Sequence, residues 1–265
     1  MRGMGGRGGV SLAGLGGLAA LGPYFAIETH DPGDPMPAPW RPLAELIGSP
    51  DALRERAHQV RAALARAGGL APDQVELRVA ASVAQLGLSA RLIAPAFGLA
   101  VLERRGLGFD AGQARWVPGD GSMFPLSLPA TARPDAGLPD TEALSLAIEG
   151  RWLDGPIQDL VTGFAGLSVS GQILWGNVAS AINGAAAMVS RSQPALRARA
   201  TALAEALLAT PNLAGRHSGV PAGPGFRRRS CCLIYRAAPG GGGGYCGDCV
   251  LSARQPGPPP SGLTQ

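Results

Sequence analysis

The chain has 265 residues, 46% of them hydrophobic, which is enough for a sizeable core in one large domain or two small ones. Its net charge is only +4, and its basic residues, all arginine, are interleaved with acids, so no nucleic-acid footprint is indicated. No run of 18 apolar residues is uninterrupted: the best, Leu86 to Leu102, is broken by Arg91 and Pro95, and no stable membrane span is expected.

Residues 1–9 are glycine-rich and read as disordered. Arg2 and Arg7 precede an apolar run from Val10 to Leu21, as in an export signal. That run is interrupted by glycines and has no small-x-small cleavage site, so a short helix over Ser11–Leu21 and a cytoplasmic location are expected. Pro32, Pro35, Pro37, Pro39 and Pro42 make an extended connection around Trp40. His30, beside it, reads as a hydrogen-bonded surface residue.

Ser49-Pro50-Asp51 is a helix start, with a capping hydroxyl, a proline in the first turn and an acid at the positive end of the dipole. Leu53, Ala57, Val60 and Leu64 follow at helical spacing, with Arg54, Arg56, Arg61 and Arg66 on the other sides, and Gly68-Gly69 ends the helix. Pro72 and Asp73 open a second helix through Leu86. A third runs from Ser89 to Arg104 with a kink near Pro95, and both are apolar on most sides, hence core.

From Gly106 the pattern changes. Phe109, Trp116, Phe124, Leu126 and Leu128 alternate with polar or small residues, between turns at Asp110-Ala111-Gly112 and Pro118-Gly119-Asp120-Gly121. This predicts two or three short antiparallel strands over 107–128. Thr141 to Ile148 fits a strand or a short helix. Helices are predicted over Leu153–Gly166, over the small and apolar stretch Ser170–Ser190, and from Gln193-Pro194 through Leu207. In the middle one, Trp175 and Asn177 are the polar-capable members. Core packing with a satisfied amide competes there with a direct substrate role. Residues 210–226 read as a Gly/Pro linker and 252–265 as a disordered proline-rich tail. The fold class is therefore α+β: a mostly helical single domain over 10–226, a small antiparallel sheet near 107–128, and a C-terminal cysteine-rich segment over 227–251.

All four cysteines lie in that segment, as Cys231-Cys232 and Cys246-Gly247-Asp248-Cys249. Thirteen residues separate the pairs, including the run Gly240 to Gly244, whose freedom lets the backbone fold back so that the pairs meet. Four soft sulfur ligands suffice for one metal centre. An iron–sulfur cluster, a structural zinc and a pair of disulfides all remain open on the residues. Adjacent cysteines chelate a single tetrahedral ion poorly, because successive side chains diverge. They serve two irons more easily. The triplet Arg227-Arg228-Arg229 is the one dense basic spot and can offset Asp248 beside a negative cluster.

Arg227-Arg228-Arg229-Ser230-Cys231-Cys232-Leu233-Ile234-Tyr235-Arg236, then Pro239-Gly240-Gly241, then Cys246-Gly247-Asp248-Cys249, resembles the C-terminal signature of the FhuF-type siderophore-iron reductases. In that family the pattern is Cys-Cys-x10-Cys-x2-Cys, and here the spacer is three residues longer, within the glycine run. Leu174-Trp175-Gly176-Asn177-Val178-Ala179-Ser180 is similar to a motif upstream in the family, as are Leu21 to Phe25 and Val79 to Ser82, so the likeness runs over most of 18–251. The resemblance implies a [2Fe-2S] cluster on Cys231, Cys232, Cys246 and Cys249. It also implies a ferric-siderophore reductase that releases Fe(II), fed by an external electron donor. Arg227, Arg228, Arg229 and Arg236 are then candidates for attracting an anionic chelate or stabilising the reduced cluster, and Trp175 and Asn177 for contacting substrate. The alternatives are an iron–sulfur carrier or sensor without its own substrate, and a zinc-stabilised interaction domain.

Overall fold

A computed structural model of the chain describes residues 12–108, 110–119, 124–130, 132, 137–238 and 244–252. The expected disorder of 1–9 and of the tail beyond 252, Phe109, the turn at Asp120-Gly121 and most of the glycine run lie outside these residues.

Two long helices form the centre. α1 (Leu12–Leu21), α2 (Leu43–Gly48) and α3 (Pro50–Gly68) precede α4 (Leu77–Glu103); α5 (Thr141–Ile148), α6 (Gln158–Ala165), α7 (Gly171–Ser192) and α8 (Arg197–Leu208) follow it. α4 and α7 pack side by side along most of their length, with α1 and α3 against α4 and α8 against α7. Both central helices are long and apolar enough to cross a membrane, but 78% and 67% of their most apolar stretches are buried inside the protein. Their composition is thus accounted for by core packing.

α4 replaces the two helices expected over 72–86 and 89–104. Only Pro72–Gln74 forms a separate 3-10 turn. Pro95 removes the amide that would bond the Arg91 carbonyl, and Gly87 lowers propensity by about 1 kcal/mol. Burial of nearly every residue from Leu88 to Val101 outweighs both. Arg91 itself is buried. Its guanidinium donates to Phe124 O (2.9 Å), Tyr24 O (3.0 Å) and Ala26 O (2.6 Å), tying α4 to two loops.

α3 starts as expected, with Ser49 Oγ accepting from Ala52 N at 3.2 Å, and ends on Gly69 at φ 63°. Arg56 departs from its expected exposed side: it is buried, and its guanidinium donates to Gln59 Oε1 and Gly119 O. The stretch 141–148 is a helix, capped by Asp140, whose carboxylate accepts from Ala143 N at 2.9 Å. The predicted helix over 153–166 begins as a wide turn, Glu149–Ile157, broken at Gly155, before α6.

The sheet has four short strands in the order β1 (Glu28–His30), β4 (Leu126–Pro129), β3 (Arg115–Trp116), β2 (Arg41–Pro42). β3 and β4 pair antiparallel as expected, Trp116 opposite Leu126, but β1 joins β4 in parallel. Of the two outer strands, β2 falls at the end of the segment read as an extended proline-rich connection and β1 immediately precedes it. Strands of two or three residues carry no alternation to read. His30 braces this sheet through Ser127 Oγ (2.8 Å) and Gln113 O (3.1 Å).

Candidate metal centre

The cysteine segment is docked on the central helices. Residues 210–226, read as a linker, run through turns in which Leu213 and Phe226 are buried. β5 (His217–Ser218) then pairs antiparallel with β6 (Arg227–Arg228), the strand leading into Ser230 and the first two thiols. α7 approaches this strand at Gly176, where an added Cβ would stand 2.0 Å from Ser230 Oγ. Beyond the cysteines, the turn Ile234–Ala237 seats Ala237 against Ala65, Val75 and Val79. Arg236 locks it with an ion pair to Glu76 at the start of α4 (2.5 Å).

Because Ser230 is buried, its hydroxyl has no open space to swing into. Gly176→Ala is therefore expected to push the Ser230-Cys231 backbone outward, at a cost of about 1–3 kcal/mol. Iron retained per purified chain should fall. Gly184→Ala, on the same helix with nothing within 4 Å of its Cβ, should retain iron and serves as the control.

The four thiols meet as two pairs. Cys232 and Cys246 are 3.7 Å apart between sulfurs, and Cys231 and Cys249 are 3.8 Å apart. The divergence of adjacent side chains sends Cys231 and Cys232 to different partners. Leu233 at φ 69° turns the chain so that its amide donates to Cys231 Sγ (3.3 Å). The Leu251 amide donates likewise to Cys249 Sγ (3.4 Å). Cys232 and Cys249 are buried, while Cys231 and Cys246 are half-buried.

Arg228 closes the site from the helix side. Its side chain is fully buried; Nη2 donates to Cys246 Sγ at 2.7 Å, Nη1 donates to Asn177 Oδ1 at 2.6 Å, and Nε lies 3.7 Å from Asp248 Oδ1. Asn177 Nδ2 donates in turn to Ser82 O (3.0 Å), Ser82 Oγ (3.1 Å) and Gln85 Oε1 (3.0 Å), and Gln85 Nε2 donates to Ser89 Oγ (2.9 Å). A chain of hydrogen bonds thus links α4 through α7 and Arg228 to sulfur. Burial opposes the Arg228 charge, but Cys232, Asp248 and Cys246 outweigh it and push its pKa up, so it is a permanent cation. The hydrogen bond with Cys246 holds the Cys232 thiol down to about 5; burial opposes this, and Arg228 and the Ile234 amide assist. The same bond to Cys232 pushes Cys246 up. Burial raises Cys231 to about 11.

Of the other expected site residues, Arg229 is exposed and Arg227 is half-buried, bonded to Pro224 O (3.1 Å) and Phe226 O (2.7 Å). Arg236 is engaged with Glu76. Trp175, 7% exposed, belongs to the main core, and Asn177 is fully buried with its amide fully used. Neither offers a surface to a substrate. Two residues of the site drew no attention as partners in the sequence. Ser180 Oγ donates to Asp248 Oδ2 at 2.6 Å, and Gln85 supports Asn177. Only the helical spacing of Asn177 and Ser180, one turn apart on α7, hinted that they share a face.

Two thiolates on one tetrahedral ion at about 2.3 Å stand about 3.8 Å apart. Both observed pairs have that span. Among the described residues, no group of three or more His, Cys, Asp or Glu side chains gathers for a single ion. The two thiol pairs match what a two-iron cluster takes, two thiolates for each iron, and the cysteines are not joined in disulfides. Two buried polar atoms at the site, Arg228 Nε and Ser230 Oγ, lack hydrogen-bond partners within the protein. The donor set therefore fits a [2Fe-2S] cluster, of which Cys231 and Cys249 would hold one iron and Cys232 and Cys246 the other.

A helical body that presents four paired thiols, amide donors to sulfur and one buried guanidinium defines an iron–sulfur protein. Residues 228–251 match the family model of the FhuF 2Fe-2S C-terminal domain. Comparison with curated proteins returned no match.

Proposed function

We propose that the protein is a [2Fe-2S] ferric-siderophore reductase acting in the cytoplasm. The observation that carries this is the pair of thiol pairs under Arg228, within a segment that matches the FhuF 2Fe-2S C-terminal domain. The bound cluster supplies one-electron transfer. One electron from an external donor, a protein or a small reductant, converts Fe(III) in the chelate to Fe(II), whose bonds to hard oxygen ligands are weaker, and iron is released.

The chain's own residues supply charge and access. Arg228 places a positive charge against Cys246 sulfur, which favours the more negative, reduced state. A cleft of about 580 Å³ opens between α7, α8 and the loop preceding the cysteine segment, lined by Asn183, Arg191, Arg197, Thr201, Val220 and the Pro221–Pro224 loop. Asn183 Oδ1 accepts from Ala222 N at 2.8 Å and fastens that loop. Asn183 lies one turn beyond Ser180, which holds Asp248, and the Val220–Pro224 loop leads on to β6. Arg191 and Arg197 are exposed and have no carboxylate partner among the described residues. With Val220 exposed in the same cleft, the site suits an anionic chelate with an apolar portion.

The test is reduction of a ferric hydroxamate or catecholate by dithionite-reduced protein, followed by trapping of Fe(II) with a ferrous chelator. Re-oxidation of the visible spectrum in step with Fe(II) appearance is the expected result. A protein that bleaches and recolours normally with dithionite and air but does not transfer to any ferric chelate would be a carrier or sensor. The double change Arg191→Glu with Arg197→Glu should raise KM for an anionic chelate at least about tenfold, or 1.4 kcal/mol, at unchanged kcat and unchanged cluster spectrum. An unaltered KM would remove the cleft from the reading.

A further inference from the structure

Asn177 and Ser180 stand one turn apart on α7, and each touches one member of the same ion pair, buried Arg228 and partly buried Asp248. Asn177 Oδ1 accepts from Arg228 Nη1 at 2.6 Å, and Ser180 Oγ donates to Asp248 Oδ2 at 2.6 Å. Between them, Arg228 faces two competing anions. Its Nη2 is on Cys246 Sγ at 2.7 Å, whereas its Nε reaches only to 3.7 Å from Asp248 Oδ1 and makes no hydrogen bond.

That division is not the one free side chains would choose. A guanidinium and a carboxylate so close favour the bidentate fork, with two parallel N–H···O bonds. Reaching it here requires Asp248 to rotate toward Arg228, which breaks the Ser180 bond, or Arg228 to tilt toward Asp248, which breaks the Asn177 bond. Asn177 cannot follow, because its Nδ2 is held by Ser82 and Gln85 of α4. The α7 frame is itself fixed in the core: Asn177 is fully buried, and Ala179 and Ala181, which flank Ser180, are buried too. The backbone adds a clamp, since Arg228 N donates to Asp248 O at 2.9 Å. The two residues are thus joined through the main chain while their side chains are kept apart.

We propose that Asn177 and Ser180 are positioning residues that keep Arg228 directed at the Cys246 sulfur and away from Asp248, and so set the reduction potential of the centre. The proposal rests on the cluster reading above. A guanidinium on sulfur stabilises the added negative charge of the reduced state, and one drawn onto a carboxylate is largely neutralised. Ser180 thereby raises the potential without touching a thiol.

The experiment is a redox titration of the iron-loaded full-length protein, followed by visible absorption and EPR. It compares wild type, Ser180→Ala, Ser180→Thr, Asp248→Asn and the double variant Ser180→Ala with Asp248→Asn. Ser180→Ala should lower the midpoint potential by about tenfold in the one-electron equilibrium, or 59 mV, with the absorption spectrum of a four-cysteine cluster retained. Ser180→Thr, which keeps the hydroxyl, should restore the potential. Asp248→Asn should raise it, and adding Ser180→Ala to Asp248→Asn should then change nothing. A Ser180→Ala potential equal to wild type, or an equal drop in the Asp248→Asn background, would overturn the proposal. If Ser180→Ala fails to fold, Ser180→Cys, of similar size and a weaker donor, should give the same lowering, and no lowering there would likewise overturn it. Wild-type protein without a [2Fe-2S] spectrum would instead overturn the underlying reading and this proposal with it.

Discussion

Cys232→Ala is expected to give a colourless protein with no acid-labile sulfide and reduction of ferric chelates at background. Cys232 is buried, is 3.7 Å from Cys246, and is the thiol that the hydrogen bond with Cys246, aided by Arg228 and the Ile234 amide, favours as thiolate. Alanine leaves one iron with a single cysteine from its pair. Alanine is chosen over serine because a serine oxygen can itself ligate iron. Iron and sulfide per chain, with the visible spectrum after anaerobic purification, make the measurement. The same loss is expected for Cys249→Ala, the buried member of the other pair. Full retention of the spectrum in either variant would end the assignment of that thiol.

Arg228→Met should give the largest loss of stability of any single change at the site, about 3–5 kcal/mol, because removing one partner leaves the others buried and uncompensated. Asp248, Asn177 Oδ1 and the thiolate of the Cys232–Cys246 pair all lose their cation. Urea unfolding of iron-free protein reads this loss directly, and the loaded protein should in addition have a lower midpoint potential. Arg228→Lys keeps the charge but cannot fork between Asn177 and Cys246, so it should recover only part of both effects. A loss below about 1 kcal/mol in Arg228→Met would mean that the guanidinium is solvated rather than buried.

Several features were legible because they are local. The four cysteines occupy one short segment, and the divergence of adjacent side chains already separated Cys231 from Cys232; the structure pairs them with Cys249 and Cys246. The start of α3 followed from Ser49 and Pro50, and its end from Gly69, since caps depend on the few residues that form them. The long α4 was split in two, because Gly87 and Pro95 weigh against a helix locally while the burial that overrides them comes from α1, α3 and α7. The strands at 28–30 and 41–42 escape notice for a related reason: they exist only through pairing with residues 99 and up to 75 positions away in the chain, respectively.

The site divides along the same line. Ligand identity is a property of residue type and spacing within one loop, so the thiols could be named from the chain as written. Everything that tunes them depends on pairs far apart in sequence: Arg228 with Asn177, 51 residues away, and Ser180 with Asp248, 68 away. In the sequence the arginine triplet looked uniform. Folding buries Arg228 against sulfur, leaves Arg229 in solvent and holds Arg227 on its own loop, because neighbours on a strand point to opposite sides and only one side faces α7. Asn177, a candidate for substrate contact, became the brace behind the cation, since a buried amide has to spend its donors and acceptor on whatever the packing of α4, α7 and the last strand brings within reach.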